Sequence, residues 1–372
     1  MYICQETGVR YPLDEIRWRS ETGGLLDIEQ HLRFDPTDLK EKPHSLWRYA
    51  STFPAIIRDH PVSLGEGMTP LIAVRLGGRE VSVKLDQMFP SGSYKDRGAT
   101  ALISLARALG VSQVVQDSSG NAGCAVAQYA AMAGIACEIF VPASTSPAKL
   151  IQIASYGATV TKVPGSREDT ARAARDAAER HFYASHVWHP FFYQGTKTFA
   201  YEVCEQMGWE APDTVILPAG NGTLLLGAAI GFRELKQSGV IDKTPKLVGV
   251  QARNCAPLFE AYHQGLQTVP ALETQQTLAE GIAIALPLRG MQMIAEVKET
   301  AGTFLAVEEE EITQALRDML KQGIFLEPTS AAVIAGVSQY IAKHAEKDET
   351  IVSVVTGHGL KSSPKIGKML HL

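Results

Sequence analysis

Short apolar runs and amphipathic stretches alternate along most of this chain, and this alternation constrains its fold more than any other feature. Strand-like runs lie near residues 80–86, 111–117, 135–141, 158–163, 213–217, 246–251 and 350–355. Helical patterns fall between them, at residues 122–134, 168–180, 196–207, 223–237, 309–321 and 329–345. Such an order is typical of a mostly parallel sheet with helices on both faces. The sequence therefore predicts an α/β fold whose ligands bind at the carboxyl ends of the strands.

A lysine lies in a small-residue loop between the first of these runs and the helix pattern that follows it. The loop is Ser91–Gly98, with the sequence SGSYKDRG, and Lys95 is its fifth residue. Small residues let the backbone pack closely around such a lysine. If burial keeps the amine unprotonated, the lysine suits Schiff-base chemistry. The alternative is a solvated lysine in a turn. If this loop were the only motif, that alternative would be favoured, because lysines are mostly exposed.

Two further small-residue loops each follow an apolar strand-like run and precede a helix pattern. They are Ser118–Gly123 (SSGNAG) and Gly220–Thr223 (GNGT). A strand, a glycine-rich turn and a helix N-terminus together present backbone N–H groups to an anion. One such loop is weak evidence, because tight turns also use glycine for steric reasons. With the lysine loop, they predict a cofactor site in which one loop binds a phosphate and the other a carboxylate.

These motifs resemble the threonine synthase branch of the pyridoxal-phosphate (PLP) fold type II enzymes, which are related to tryptophan synthase β and the serine/threonine dehydratases. The matching segments follow the family's order from about residue 65 onward: SGSYKDRG, SSGNAG, PAGNGTLLLG, EPTSAA and TGHGLK. The resemblance implies two doubly wound, mostly parallel sheet domains, with the smaller nested in the larger. We expect a large domain of residues 46–96 plus 191–372, a small domain of residues 97–190, and the cofactor between them.

The resemblance also implies the roles of individual residues. Lys95 would bind the PLP cofactor as a Schiff base and later move the α-proton of a small amino-acid substrate. The other expected cofactor-binding residues are Asn121, Gly220, Asn221, Gly222, Thr223 and Thr356. The expected substrate-binding residues are Ser118, Ser119, Gly120, His189 and Lys197.

Thr356 would pair with the pyridine nitrogen of the cofactor. A hydroxyl need not protonate that nitrogen, so this residue favours elimination of a leaving group over transamination. Plain helix capping is the alternative for Ser119 and Asn121, and it is an adequate explanation for Glu327.

The first 45 residues are predicted to form an appendage of short extended pieces. Cys4–Gly8 and Arg19–Gly24 have the spacing of two zinc knuckles, and many threonine synthase relatives carry a zinc ribbon at this end. Of the four expected ligand positions, only that of Cys4 carries a residue type that binds zinc, because the others are Thr7, Arg19 and Thr22. One thiolate cannot hold a tetrahedral zinc ion. We therefore expect a ribbon without metal.

Composition and charge exclude several classes of protein. Apolar residues make up 45% and charged residues 20% of the 372 residues, as in an ordinary globular protein of two domains. A net charge of −5 gives no basic surface for nucleic acid or an anionic membrane. Neither a signal peptide nor an apolar run long enough to span a bilayer is present, so we expect a cytoplasmic protein. The five dispersed cysteines are expected to be buried and unpaired, and the resemblance suggests a homodimer.

The chain departs from the threonine synthase pattern where that family binds the phosphate of its substrate, O-phosphohomoserine. Phe192 stands where the usual segment has an arginine, while Leu224 and Phe89 replace two asparagines. A buried phosphate without its arginine loses several kcal/mol of binding free energy. Either Lys197, His189 or Lys361 binds this phosphate instead, or the substrate carries none.

Two enzyme functions are therefore open. One is a threonine synthase, which converts O-phosphohomoserine and water into L-threonine and phosphate. The other is elimination or β-replacement on an unphosphorylated amino acid, as in a serine/threonine ammonia-lyase, which the segment 279–283 also favours. A PLP-binding protein without turnover and a serine hydrolase built on Ser146 (SxxK) are the weakest alternatives.

Overall fold

The computed structural model describes residues 1–30, 32–145 and 147–372, without the side chains of residues 147–149. Ser146 and the side chain of Lys149, which would form the SxxK hydrolase motif, lie outside the described part. The strands are β1 (Tyr2–Cys4), β2 (Arg10–Tyr11), β3 (Leu26–Ile28), β4 (Leu71–Leu76), β5 (Arg79–Lys84), β6 (Gln113–Gln116), β7 (Ala136–Pro142), β8 (Thr159–Val163), β9 (Phe182–Tyr183), β10 (Thr214–Pro218), β11 (Lys246–Ala252), β12 (Thr303–Val307) and β13 (Ile351–Val354).

One short α-helix precedes β4, and the other α-helices lie between or after the strands from β5 onward. The α-helices are α1 (Ala55–Arg58), α2 (Lys95–Ala108), α3 (Asn121–Ala133), α4 (Pro147–Ser155), α5 (Arg167–Ala177), α6 (Pro190–Thr196), α7 (Thr198–Gln206), α8 (Thr223–Gln237), α9 (Pro257–His263), α10 (Gly290–Glu299), α11 (Glu309–Lys321), α12 (Pro328–Lys343) and α13 (Ser363–Leu370). Within the described ranges, none of them combines the length and apolar character that crossing a bilayer requires.

The chain forms two compact units. The first contains Met1–Met68 and Lys95–Thr198, and the second contains Thr69–Tyr94 and Phe199–Leu372. Residues 46–68, 95–96 and 191–198 thus belong to the first unit, whereas the sequence assigns them to the large domain. The predicted domain boundaries themselves stay a prediction.

The first unit contains two sheets. A parallel sheet has the strand order β8-β7-β6-β9, and an antiparallel sheet near the N-terminus has the order β2-β1-β3. Trp18, Val115, Phe140, Ala174 and Tyr183 form a buried apolar cluster in this unit. A capping box begins α5, because Ser166 and Asp169 each bond the other's backbone N–H.

The second unit is built on one six-stranded sheet of order β12-β11-β10-β13-β5-β4. Its pairs are parallel except for β4, which runs antiparallel to β5 at the edge. Every residue of β10 and β13 is buried, as expected for central strands covered on both faces. The predicted fold class, α/β with two mostly parallel sheets, is confirmed.

In the ribbon-like appendage, the Cys4 thiol is hydrogen-bonded by the hydroxyl groups of neighbouring residues. Hydrogen bonds from the Thr7 side chain and then from Ser20 lower the pKa of the Cys4 thiol to about 7. The Arg19 guanidinium stacks on Trp18 and pairs with Glu179. The five cysteines are buried and are not part of disulfide bonds, as predicted. Among the described residues, no group of three metal-ligating side chains comes together.

Candidate active site

Lys95 is the first residue of α2, immediately after the small-residue loop, in the first unit. Its side chain is partly buried, and desolvation by the surrounding protein lowers the pKa of its amine to about 7. The amine nitrogen lies 5.8 Å from the centroid of the Phe192 ring. At neutral pH a substantial fraction of this amine is therefore unprotonated, as a nucleophilic lysine requires.

Two glycines allow α2 and α6 to pack closely beside Lys95. A Cβ at Gly98 would lie 2.2 Å from the Phe192 ring, and one at Gly195 would lie 1.8 Å from the carbonyl oxygen of Arg97. Neither position can carry a larger residue unless its neighbours move. The glycines thus place the fully buried Phe192 ring against the start of α2.

A neutral histidine also lies beside Phe192. The His186 ring is 6.0 Å from the Phe192 ring in an edge-on arrangement. Burial, and then the positive charge of Lys95, holds the pKa of His186 well below its usual value. Gln116 links this ring to the Ser118 loop, because its amide nitrogen lies 3.4 Å from Nδ1 of His186 and its amide oxygen accepts the Ser118 N–H at 2.7 Å.

The Ser118–Gly123 loop leads from β6 into α3, as predicted. Gly120 precedes the helix and makes no side-chain cap, so the N–H groups of the first turn face the loop. Gly123 lets the loop fold back on the helix, since a Cβ there would come within 1.9 Å of the Ser118 carbonyl oxygen. Ser118, Ser119 and Asn121 are partly exposed and Gly120 is exposed, so a substrate carboxylate can reach them.

The Gly220–Thr223 loop leads from β10 into α8 in the second unit. Gly222 has a φ of 77°, in the left-handed region, and a Cβ there would lie 2.4 Å from Met293 Sδ. Both facts require glycine immediately before the helix. Thr223 is the first residue of α8, and its hydroxyl lies 2.7 Å from the Tyr94 hydroxyl. The loop therefore offers backbone N–H groups and hydroxyls to an anion.

Thr356 follows β13 in the second unit and is almost fully buried. Its backbone carbonyl accepts the Tyr94 N–H at 3.0 Å. The adjacent Gly357 forms an isolated antiparallel β-bridge with Ser93. The Thr356 hydroxyl lies 2.9 Å from the Ser330 hydroxyl. These bonds place the Thr356 turn beside the loop that leads directly into Lys95.

His189 and Lys197 make structural contacts within the first unit. His189 caps α6 by accepting the Phe191 N–H, and its ring stacks on Phe182 at 5.1 Å. The fully buried Lys197 amine donates to the Thr52 carbonyl and to Gln194, each at 2.7 Å. Their role as substrate ligands stays a prediction.

Sequence reasoning missed several residues of this site. Tyr94 and Ser330 lie inside motifs that the sequence singled out, so their positions were visible while their roles were not. Gln116 and His186 lie outside those motifs, and only the packing of α6 and β6 brings them near Phe192.

The comparisons with known proteins decide the family. The model of the pyridoxal-phosphate dependent enzyme family matches residues 62–357. This chain belongs to that family. It is a PLP-dependent enzyme, and the predicted class, a lyase of the threonine synthase type, is confirmed.

Relatives with curated names extend over nearly the whole chain. The threonine synthase of Methanocaldococcus jannaschii is 35% identical over 96% of this chain and 92% of its own length. The threonine synthase of Methanosarcina acetivorans is 33% identical over 96% of this chain and 91% of its own.

Solved structures of other enzymes share the fold. Threonine deaminase isoform 2 from Solanum lycopersicum is 23% identical, with a TM-score of 0.70 over 93% of this chain and 97% of its own. Maize serine racemase is 19% identical, with a TM-score of 0.70 over 89% of this chain and 100% of its own. At these identities the likeness shows the fold alone.

The residues of this PLP-dependent enzyme fit the cofactor. Lys95 has a depressed amine pKa, which suits a Schiff base with an aldehyde. Gly222, immediately before α8, has no side chain that could cap the helix. The N–H groups of the first helical turn are therefore suited to binding a phosphate. The buried hydroxyl of Thr356 suits an uncharged pyridine nitrogen.

Proposed function

We propose that this enzyme converts O-phosphohomoserine and water into L-threonine and phosphate. The observation that carries the proposal is the near-full-length similarity to two threonine synthases, together with a lysine of depressed pKa at the start of α2. The reaction eliminates phosphate from the γ-carbon and adds water at the β-carbon, so its atoms balance.

PLP, when bound, supplies an electron sink for the carbon that loses its proton. Lys95 would hold the cofactor covalently, and its Nζ would then accept the α-proton, because its amine is partly unprotonated at neutral pH. Ser118, Ser119, Gly120 and Asn121 would orient the substrate carboxylate at the start of α3. The Gly220–Thr223 loop would hold the cofactor phosphate, and Thr356 would meet the ring nitrogen.

Close packing around Lys95 supports a second candidate function. The buried Phe192 ring lies beside the Lys95 amine, where the family's arginine would bind the substrate phosphate. Lys197 donates to the Thr52 carbonyl and Gln194, and the Lys361 amine donates to the Ser91 carbonyl at 2.8 Å. These contacts favour an unphosphorylated substrate, such as L-serine or L-threonine, converted into a 2-oxo acid and ammonia.

One set of assays separates the two candidates. The purified, PLP-loaded enzyme is given O-phosphohomoserine with a phosphate readout, and L-serine or L-threonine with a 2-oxo-acid readout. Phosphate and threonine released together support the first function, whereas oxo acid without phosphate supports the second. Lys95→Ala is the control in both arms, and we expect it to lose activity and the visible absorption band of the covalently bound cofactor.

The Phe192→Arg and Phe192→Leu variants test the role of the ring. If Phe192 excludes a substrate phosphate, Phe192→Arg gains activity on O-phosphohomoserine relative to L-serine, and Phe192→Leu does not. Equal changes in both variants would contradict this role. Thermal unfolding of each variant shows whether a charge at this buried position still permits folding.

A further inference from the structure

The hydrogen bonds of Ser330 determine which way its hydroxyl points. Ser330 is fully buried in the first turn of α12. Its Oγ accepts the backbone N–H of Thr356 at 2.9 Å and that of Gly357 at 3.2 Å. A hydroxyl oxygen has two lone pairs and one hydrogen, so these two bonds use its whole accepting capacity.

The third contact of Ser330 must therefore be a donation. The Thr356 Oγ1 lies 2.9 Å from Ser330 Oγ, and either hydroxyl could be the donor on distance alone. If Thr356 donated, Ser330 Oγ would have to accept three hydrogens. Ser330 thus donates to Thr356, and Thr356 accepts.

This direction leaves the hydrogen of the Thr356 hydroxyl available. Among the described residues, the Thr356 side chain has Ser330 as its hydrogen-bond partner, and that contact uses a lone pair of Thr356. Thr356 is 3% exposed, so bulk water does not readily supply the missing acceptor. A buried hydroxyl hydrogen without an acceptor is unfavourable, which indicates that a bound group accepts it.

We propose that Ser330 is a positioning residue that fixes Thr356 as a hydrogen-bond donor to an unprotonated ring nitrogen of the bound cofactor. The inference rests on the proposed function, in which Thr356 meets that nitrogen. A protonated ring nitrogen would itself be a donor and would find the donating Thr356 hydrogen opposite it. Ser330 therefore selects the uncharged ring, which is the weaker electron sink and suits elimination.

Nitrogen-15 NMR of the enzyme loaded with ring-labelled PLP tests the proposal directly. We expect the unmodified enzyme to give the chemical shift of an unprotonated, hydrogen-bonded pyridine nitrogen. In Ser330→Ala the Thr356 hydroxyl loses its orienting partner, so the signal moves toward that of Thr356→Val. The dissociation constant of PLP, measured by equilibrium dialysis, should rise about three- to tenfold in Ser330→Ala.

Ser353→Ala is the matched control. Ser353 is also a fully buried serine of the second unit, and its hydroxyl donates to the Ile216 carbonyl at 3.0 Å instead of to Thr356. We expect this variant to keep the NMR signal and the PLP affinity. If Ser330→Ala fails to fold, Ser330→Cys keeps the size of the side chain with a weaker donor, and its signal should move in the same direction.

Each other outcome has a definite meaning. A protonated ring nitrogen in the unmodified enzyme, or a Ser330 variant indistinguishable from Ser353→Ala, overturns the role of Ser330. If Thr356→Val also leaves the ring signal unchanged, Thr356 does not meet the nitrogen and that part of the proposed function fails with the inference. If Lys95→Ala retains covalent cofactor, the proposed function fails separately.

Discussion

Two lysines near the same stretch of sequence have opposite surroundings. Lys84 ends β5 in the second unit and is fully buried, but its amine pairs with Glu202 at 2.8 Å and donates to the Thr69 carbonyl and Gln206 at 2.6 Å. Lys95 begins α2 in the first unit, where desolvation lowers the pKa of its amine to about 7. Burial alone therefore does not make a lysine reactive.

The difference lies in how each charge is compensated. A carboxylate and two acceptor oxygens stabilise the buried ammonium of Lys84, because these groups replace the water that it has lost. For Lys95, desolvation by burial lowers the pKa of the amine, so the neutral form becomes accessible. Lys84 is thus part of a buried ion pair, whereas Lys95 is suited to nucleophilic chemistry.

Removing the carboxylate from the Lys84 pair should have the largest effect. Glu202→Gln leaves a buried ammonium without its counter-charge, so we expect a loss of about 3–5 kcal/mol in the free energy of unfolding. Urea denaturation measures it. Glu29→Gln breaks the exposed pair with Arg10 and should lose less than about 1 kcal/mol.

A Lys84→Met, Glu202→Leu double variant sharpens this test. Apolar replacement of both partners leaves no uncompensated charge, so much of the lost stability should return. A double variant as unstable as Glu202→Gln would show that packing around the pair, and not its charge, is what matters.

The pH dependence of cofactor attachment should have the next largest effect. In the proposed function, Lys95 attacks the PLP aldehyde only as the unprotonated amine, and its lowered pKa of about 7 makes this form dominant above that pH. When PLP is added to cofactor-free enzyme, the rate should rise about tenfold per pH unit below 7 and level off above it.

Borohydride reduction followed by peptide mapping identifies the residue that has reacted. We expect PLP on Lys95 and none on Lys84, whose amine is paired and fully buried. A rate that rises steadily toward pH 10 would contradict the depressed pKa of Lys95, and label on Lys84 would contradict the contrast between the two lysines.

The sequence predicted those parts of the fold and site that depend on local pattern. β10 and β13 are mostly apolar runs, and the glycine before α8 follows from the geometry of a strand-to-helix turn. β12 was missed, because a short apolar run directly before an acidic helix start has no periodicity of its own. Lys95 was recognised through its motif, whereas nothing in the strand containing Lys84 predicted a buried ion pair.

Contacts between distant segments could not be predicted. Glu202 meets Lys84, and Ser330 meets Thr356, only because the register of packed helices and strands brings them together. Phe192 was identified as a departure from the family pattern, but its position beside the Lys95 amine depends on two glycines in different helices.

Gly98→Ala should have the smallest effect, and it tests why the surroundings of Lys95 are apolar. The added Cβ would lie 2.2 Å from the Phe192 ring, so the ring must move, with an expected loss of about 1–3 kcal/mol in the free energy of unfolding. Gly367→Ala, in α13, has nothing within 4 Å of its added Cβ and should instead gain up to about 1 kcal/mol.

The displaced ring should also admit water to the Lys95 amine and raise the pKa of that amine toward its ordinary value. The pH midpoint of cofactor attachment in Gly98→Ala would then lie above 7. In a double-mutant cycle with Phe192→Leu, the double variant should lose less stability than the sum of the two single losses, because the smaller side chain relieves the clash. If Gly98→Ala stabilises the enzyme as Gly367→Ala does and leaves the midpoint unchanged, the ring does not control the reactivity of Lys95, and desolvation must arise from other neighbours.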